Sequence, residues 1–321
     1  MHRRRFIAGL AASCLGLPSA LAAPDAPAAR ERLTLLLPVP EGGSLGLLGR
    51  SLAECLGDAK VASLLTPKWT SAPLAITRFI DEYSARSDAL LLGGSGLVGS
   101  TIVAQQATSL ADLAPVARLT TEYAACAVPT DSPFATLGDL LAALRQSPER
   151  FSFCGSSRGS ADHILAAMIA RYAGVPARHL RYRSYVGGVG AIEAVLRGEQ
   201  DCICAGLGEV RNHLVAGRLR LLGLSAPQRL PGVPVATFVE QGLDIELSNW
   251  RGVFAPPGVD AATLDRRIRL MSETVDGAAW KATLFRYNWT GDYLAGPAFG
   301  EFVHRDTLRM RDQLTQLGLQ G

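Results

Sequence analysis

Five times along this 321-residue chain, a short apolar run ends in a turn of glycine and small polar residues that opens a helix-period segment. The turns fall at 41–46, 93–96, 155–160, 187–190 and 206–208. The third is the clearest. Arg150 to Phe153 reads as a strand, Cys154-Gly155-Ser156-Ser157-Arg158-Gly159-Ser160 as the turn, and the run to Tyr172 as a helix. Ser160 is placed to cap that helix. Strands that alternate with helices at this spacing require an α/β fold with parallel sheets. In such folds ligands gather beyond the carboxyl ends of the strands, where free helix N–H groups favour an anion.

Read in order, strands are expected at Leu33–Leu37, Val61–Thr66, Ala89–Leu92, Leu113–Leu119 and Ala124–Val128, the last two as separate short strands. Pro129-Thr130-Asp131-Ser132-Pro133 is punctuation and marks a domain crossing. Further strands are expected at His179–Tyr185, Asp201–Ala205 and Leu219–Ser225, a short helix end at Phe238–Gly242 and an extended segment at Leu247–Ala255. Residues 260–280 and 297–317 have helical period.

Residues 1–23 read as an export signal: basic Arg3-Arg4-Arg5, apolar Phe6 to Leu17, and an Ala20-Leu21-Ala22 cleavage pattern that places cleavage near Ala22 or Ala23. The three arginines also fit a twin-arginine signal. They account for three of the 32 basic residues, and the segment holds no acid, so the remainder carries 29 residues of each sign. That balance excludes a polyanion partner such as nucleic acid. No later run is long and apolar enough to span a bilayer, so the expected address is the periplasm. Beyond the leader there are five cysteines, Cys55, Cys126, Cys154, Cys202 and Cys204, in no zinc spacing. Cys202 and Cys204 alternate along one strand and face the same way, where a bridge between the two is awkward, so the cysteines read as small buried hydrophobes.

Three motifs point toward enzymes. Gly42-Gly43-Ser44-Leu45-Gly46 and Gly155-Ser156-Ser157-Arg158-Gly159 both match G-x-S-x-G, but Asp201 and His213 stand in no recognisable triad arrangement. Gly94-Ser95-Gly96-Leu97-Val98-Gly99 matches G-x-G-x-x-G, yet it follows the third strand rather than the first. His163, beside Asp162 at a helix start, is expected to stay neutral and to orient neighbours rather than transfer protons. Arg158 is the one cation in its loop and suits a carboxylate. Trp250 reads either as a cleft wall or as core, and Arg251 as a residue that locks a hinge by a salt bridge.

The chain resembles the periplasmic substrate-binding proteins of tripartite tricarboxylate transporters, the Bug or TctC type. The resemblance rests on Leu37-Pro38-Val39-Pro40-Glu41-Gly42-Gly43-Ser44, Leu91-Leu92-Gly93-Gly94-Ser95-Gly96, Gly159-Ser160-Ala161-Asp162-His163-Ile164-Leu165-Ala166, Tyr185-Val186-Gly187-Gly188 and Asn249-Trp250-Arg251-Gly252 with the residues to Gly258. It implies an α/β, two-lobed periplasmic-binding-protein fold (type II-like), each lobe a mostly parallel sheet flanked by helices, with two crossings. Lobe 1 is then 24–128 plus 247–321 and lobe 2 is 129–246. It also implies a small organic carboxylate held between the lobes and passed to a membrane permease, by a monomer without catalytic residues, cofactor or metal.

The loops at 40–44, 155–160 and 186–188 would hold the ligand. The candidate residues are Pro40, Glu41, Gly42, Gly43 and Ser44 on the first loop and Gly94 and Ser95 on the second. Gly155, Ser156, Ser157, Arg158, Gly159, Ser160, Asp162 and His163 come from the third. Tyr185, Val186, Gly187 and Gly188 follow, then Gly206 and Glu209. Leu45-Gly46 stands where the family commonly has an acid, Glu41 replaces a small residue, and Arg158 replaces another. Two other readings are a secreted serine hydrolase using Ser44 or Ser157 and a ligand-sensing subunit of a signalling system.

Overall fold

A computed structural model describes residues 32–38, 43–57, 60–67, 72–84, 86–185 and 188–319. The expectations for the leader, for Pro40, Glu41 and Gly42, and for Val186 and Gly187 lie outside the described residues.

The first half of the chain builds β1 (Leu33–Leu36), α1 (Ser44–Leu56), β2 (Val61–Leu65), α2 (Ala75–Tyr83), β3 (Ala89–Gly94) and α3 (Ser95–Val103). β4 (Ala114–Pro129) and α4 (Leu137–Gln146) follow. Next come β5 (Ser152–Gly155), α5 (Ala161–Tyr172), β6 (Arg181–Ser184), α6 (Gly188–Leu196), β7 (Cys202–Gly206), α7 (Leu207–Val215) and β8 (Leu219–Leu224). β9 (Ser248–Ala255), α8 (Ala261–Asp276), α9 (Ala278–Tyr287), β10 (Leu294–Ala295) and α10 (Gly296–Gln316) complete it. β1, apolar but for Thr34, and β3 are wholly buried, as expected of strands covered on both faces.

The strands run in the order β2-β1-β3-β9-β4-β7-β5-β6, with β8 and β10 also paired to β4. β1, β2 and β3 are parallel, as are β5, β6 and β7, while β4 and β9 are antiparallel to their neighbours. β9 is made late in the chain yet lies between β3 and β4.

The two short strands expected at 113–119 and 124–128 are one strand of 16 residues. Thr120, Thr121 and Glu122 made a break in the sequence pattern, but all three are buried and the backbone pairs straight through them. Up to Tyr123 the strand pairs with β9, and from Ala124 with β7, so β4 belongs to both sheets. The expected boundary at 128/129 lies at the far end of this strand. Two smaller differences follow from turn chemistry. Residues 260–280 split at Gly277 into α8 and α9, and Phe238–Gly242 is a turn rather than a helix end.

Trp250 is core, 1% exposed. Its ring meets Phe299 edge-on at 5.7 Å and its indole N–H donates to Asp306 Oδ2 at 2.6 Å, which fastens α10 to β9. Arg118 adds a clamp, donating to Asp292 Oδ1 at 2.7 Å while stacked 4.2 Å from the Phe302 ring. The C-terminal helices therefore return onto the first sheet.

Candidate functional site

Three of the five turns converge. The starts of α1, α6 and α7 surround a cavity of about 600 Å³ with Gly43, Gly188, Gly208 and Glu209 in its wall. Arg50 of α1, Arg211 of α7 and Arg286 of α9 line it as well. These three arginines were missed in the sequence. The first two stand on the helices that the turns open, so the signal was a cation downstream of a glycine turn. The third comes from the returning C-terminal segment and had no local signal.

Glu209 reaches across this space. Its carboxyl takes a hydrogen bond from Ser44, and Oε2 lies so close to Gly188 that a Cβ there would stand 1.8 Å away. Burial pushes the Glu209 carboxyl up to about 8, helped by the nearby charges of Asp162 and Glu122 and opposed by Ser44 and Arg251. A neutral Glu209 is a hydrogen-bond donor at pH 7.

Behind the cavity, Glu122 and Arg251 form an ion pair at 0% and 1% side-chain exposure. Glu122 Oε1 also accepts from the backbone N–H of Gly208 at 2.7 Å, at the start of α7. Arg251 stacks 5.5 Å from the centre of the Trp289 ring, and its Nη1 has no protein partner. The expected salt bridge of Arg251 is thus real. It joins β9 of the first sheet to the strand that both sheets share, and through that strand to α7.

The turn at 155–160 is built from within. Ser160 accepts from the His163 backbone N–H at 3.4 Å and caps α5. Asp162 turns back to accept from the Ser156 backbone N–H at 2.9 Å and hydroxyl at 2.5 Å. Burial raises the Asp162 carboxyl, against the two Ser156 bonds. His163 is 3% exposed, faces the Tyr182 ring at 4.4 Å and accepts on Nδ1 from Gly159 N–H at 3.1 Å. Burial, then the charge of Arg158, pulls it down to about 4. Held neutral near pH 7, its ring anchors the turn through the Gly159 bond. Arg158 itself is exposed, and Ser157 half-buried. Tyr182 Oη donates to Ser156 O at 2.9 Å, and Tyr185 N–H donates to Gly155 O at 2.9 Å.

This turn also meets α3. A Cβ on Gly99 would stand 1.9 Å from Gly159 O, and Gly159 has φ +81°. Backbone therefore lies on backbone, and only glycine fits on either side. At the remaining turn Gly94 packs under the Trp250 carbonyl and Ser95 donates to Asn249 Oδ1 at 2.5 Å. Gly206 packs on the Glu122 carboxylate. Gly94, Ser95, Gly155 and Gly206 thus support the frame, while Gly43, Gly188 and Glu209 face the cavity and Ser44 bonds to the Glu209 carboxyl.

Neither serine elbow acquires a triad among the described residues. Asp201 is taken up by Ser152, whose N–H and hydroxyl donate to it at 2.7 and 2.8 Å, and the buried His213 Nδ1 meets no hydrogen-bond partner among the described residues.

Solved structures share this architecture. The periplasmic binding protein BugD matches with a TM-score of 0.81 at 16% identity, over 90% of this chain and 98% of its own. The adipate complex of Rhodopseudomonas palustris Rpa4515 matches with a TM-score of 0.81 at 19% identity, over 89% and 97%. The shared architecture is the two-lobed periplasmic-binding-protein fold. Among sequences, a UPF0065 protein from the tcbD-tcbE intergenic region of Pseudomonas sp. is 26% identical over 82% of this chain and 79% of its own length. BugT of Bordetella pertussis is 24% identical over 87% and 86%. The chain belongs to the tripartite tricarboxylate transporter family receptors, whose family profile matches residues 104–309.

Proposed function

We propose that this receptor captures a small organic carboxylate in the cavity between the starts of α1, α6 and α7. It then hands that ligand to the membrane permease of a tripartite tricarboxylate-type transporter. The observation that carries this reading is the convergence of three helix starts and three arginines on one cavity. Helix N-termini and guanidinium groups both favour an anion. A neutral Glu209 adds a donor where an ionised one would repel, which reconciles an acidic side chain with an anionic ligand. The relatives agree in kind: Rpa4515 is described with adipate and MatC of R. palustris with malate.

In this reading lobe 1 is 24–128 plus 247–321 and lobe 2 is 129–246. The leader directs the chain to the periplasm and is removed near Ala22 or Ala23, and the receptor works as a monomer. Ligand contacts that form only when the lobes meet shift an open–closed equilibrium. No helix among the described residues is long and apolar enough to cross a membrane, which suits a receptor that docks on its permease.

The test is native mass spectrometry of gently purified protein, with release and identification of the bound molecule, then a thermal-shift screen of organic acids. One equivalent of a carboxylic acid, or a melting rise with one, supports the reading. A bound molecule without a carboxylate, or silence across mono-, di- and tricarboxylates, ends it. For the acid so found, affinity should fall as pH rises through about 8, where Glu209 ionises. Glu209→Gln should bind without that fall; a fall of the same size in the variant removes Glu209 from the site.

A further inference from the structure

Away from the cavity, three thiols meet in the core beneath the second sheet. Cys126 lies on β4 directly opposite Cys204 of β7. Cys202 stands two residues along the same face, and all three are 0% exposed in one apolar cluster. Cys126 Sγ lies 3.2 Å from Cys202 Sγ. Cys154 projects to the other face of the sheet, into a separate cluster, where its thiol points at the Ala191 carbonyl. Cys55 sits far off on α1.

We infer that Cys126 and Cys202 are a disulfide site, linking β4 to β7 in the exported protein. The same-face neighbours Cys202 and Cys204 project side by side from one strand, which does not suit a bridge, whereas Cys126 approaches Cys202 from the facing strand. Bond formation brings the two sulfurs from 3.2 Å to about 2 Å. Burial holds the Cys202 and Cys204 thiols well above the usual range, so exchange belongs to the stage before the core closes.

The chemistry balances with one external disulfide, either of a thiol oxidant protein or of oxidised glutathione. One cysteine thiolate attacks it, forming a mixed disulfide and releasing one thiol. The second cysteine then displaces the other half, so the two protons and two electrons of the protein thiols end on two released thiols. Cys204 keeps its proton and packs beside the bridge. The bridge would close a long loop (Cys126 and Cys202 are 76 positions apart) that contains β5 and β6 of the second sheet.

Two samples test this. One is the full-length gene product with its own leader, purified from the periplasmic fraction without reductant. The other is the same protein unfolded, fully reduced and refolded in a glutathione redox buffer. Each is denatured without reductant, alkylated with iodoacetamide and weighed intact, then digested. The expected result in either sample is two cysteines protected and one cross-linked peptide pair joining Cys126 to Cys202. Cys204→Ser should keep that cross-link, and Cys202→Ser should leave Cys126 free to alkylate. Full alkylation in both samples overturns the proposal, as does a bridge through Cys204, Cys55 or Cys154.

Discussion

Burying Arg251 against Glu122 takes two charges out of water, and the arrangement holds because each is matched. Removing one partner leaves the other uncompensated in the core, which typically costs roughly 3–5 kcal/mol. Glu122→Gln and Arg251→Met should each lower stability on that scale in urea unfolding, and the double variant should recover part of the loss; single losses below about 1 kcal/mol would mean that the pair is solvated. His163 and Glu209 set opposite pH slopes. The folded state holds His163 at about 4, below its ordinary 6.5, so its contribution is full above pH 6.5 and is lost as pH falls toward 4. That swing is worth about 3 kcal/mol. Glu209 is raised from 4.5 to about 8, so its contribution is full below pH 4.5 and is lost as pH rises toward 8. Melting temperature should therefore decline from pH 6.5 to 8, where His163 no longer opposes, and Glu209→Gln should abolish that decline. His163→Asn should remove the acid-side loss instead. An unchanged alkaline slope in the glutamine variant would assign it to other groups.

The start of the helix that follows each glycine turn was the most legible feature of the chain. Ser160 reads as a cap three residues before His163 because the capping pattern is local, and the structure places that bond as expected. The same locality explains what escaped. Glu122 fell in the break between two expected strands, since its partner Arg251 lies 129 positions later, and no period in the sequence reports a pairing that distant. The cavity wall was legible at Gly43, Gly188 and Glu209 but not at Arg286, which arrives from the far end of the chain. Gly94, Gly155 and Gly206 looked identical to those and serve packing instead. Among elements, the most exposed to test is the seat of the 155–160 turn on α3. Gly99→Ala puts a methyl group 1.9 Å from the Gly159 carbonyl oxygen. Relief needs the turn to lift, at about 1–3 kcal/mol. We expect a lower melting temperature and weaker binding of whichever acid the screen finds; wild-type values in both would show that the two backbones separate freely.

At the scale of the whole molecule, one strand belongs to both sheets and another closes the first sheet out of order. A chain stopped at residue 246 contains β1 to β8 but not β9, so its first sheet lacks the strand that joins β3 to β4. Such a fragment should be protease-sensitive and should aggregate at concentrations where the full chain stays dispersed; a monomeric, protease-resistant fragment would show that β3 and β4 can close on each other. The same order governs the intact protein while it is being made. Until residues 248–255 emerge, the nascent chain carries two facing rows of unpaired amides and carbonyls, a template for any strand that passes. Its vulnerable interval is therefore set by how long synthesis takes to reach β9, and whatever guards this polypeptide while it is made has to cover open edges, not only greasy faces, until the last strand slots home.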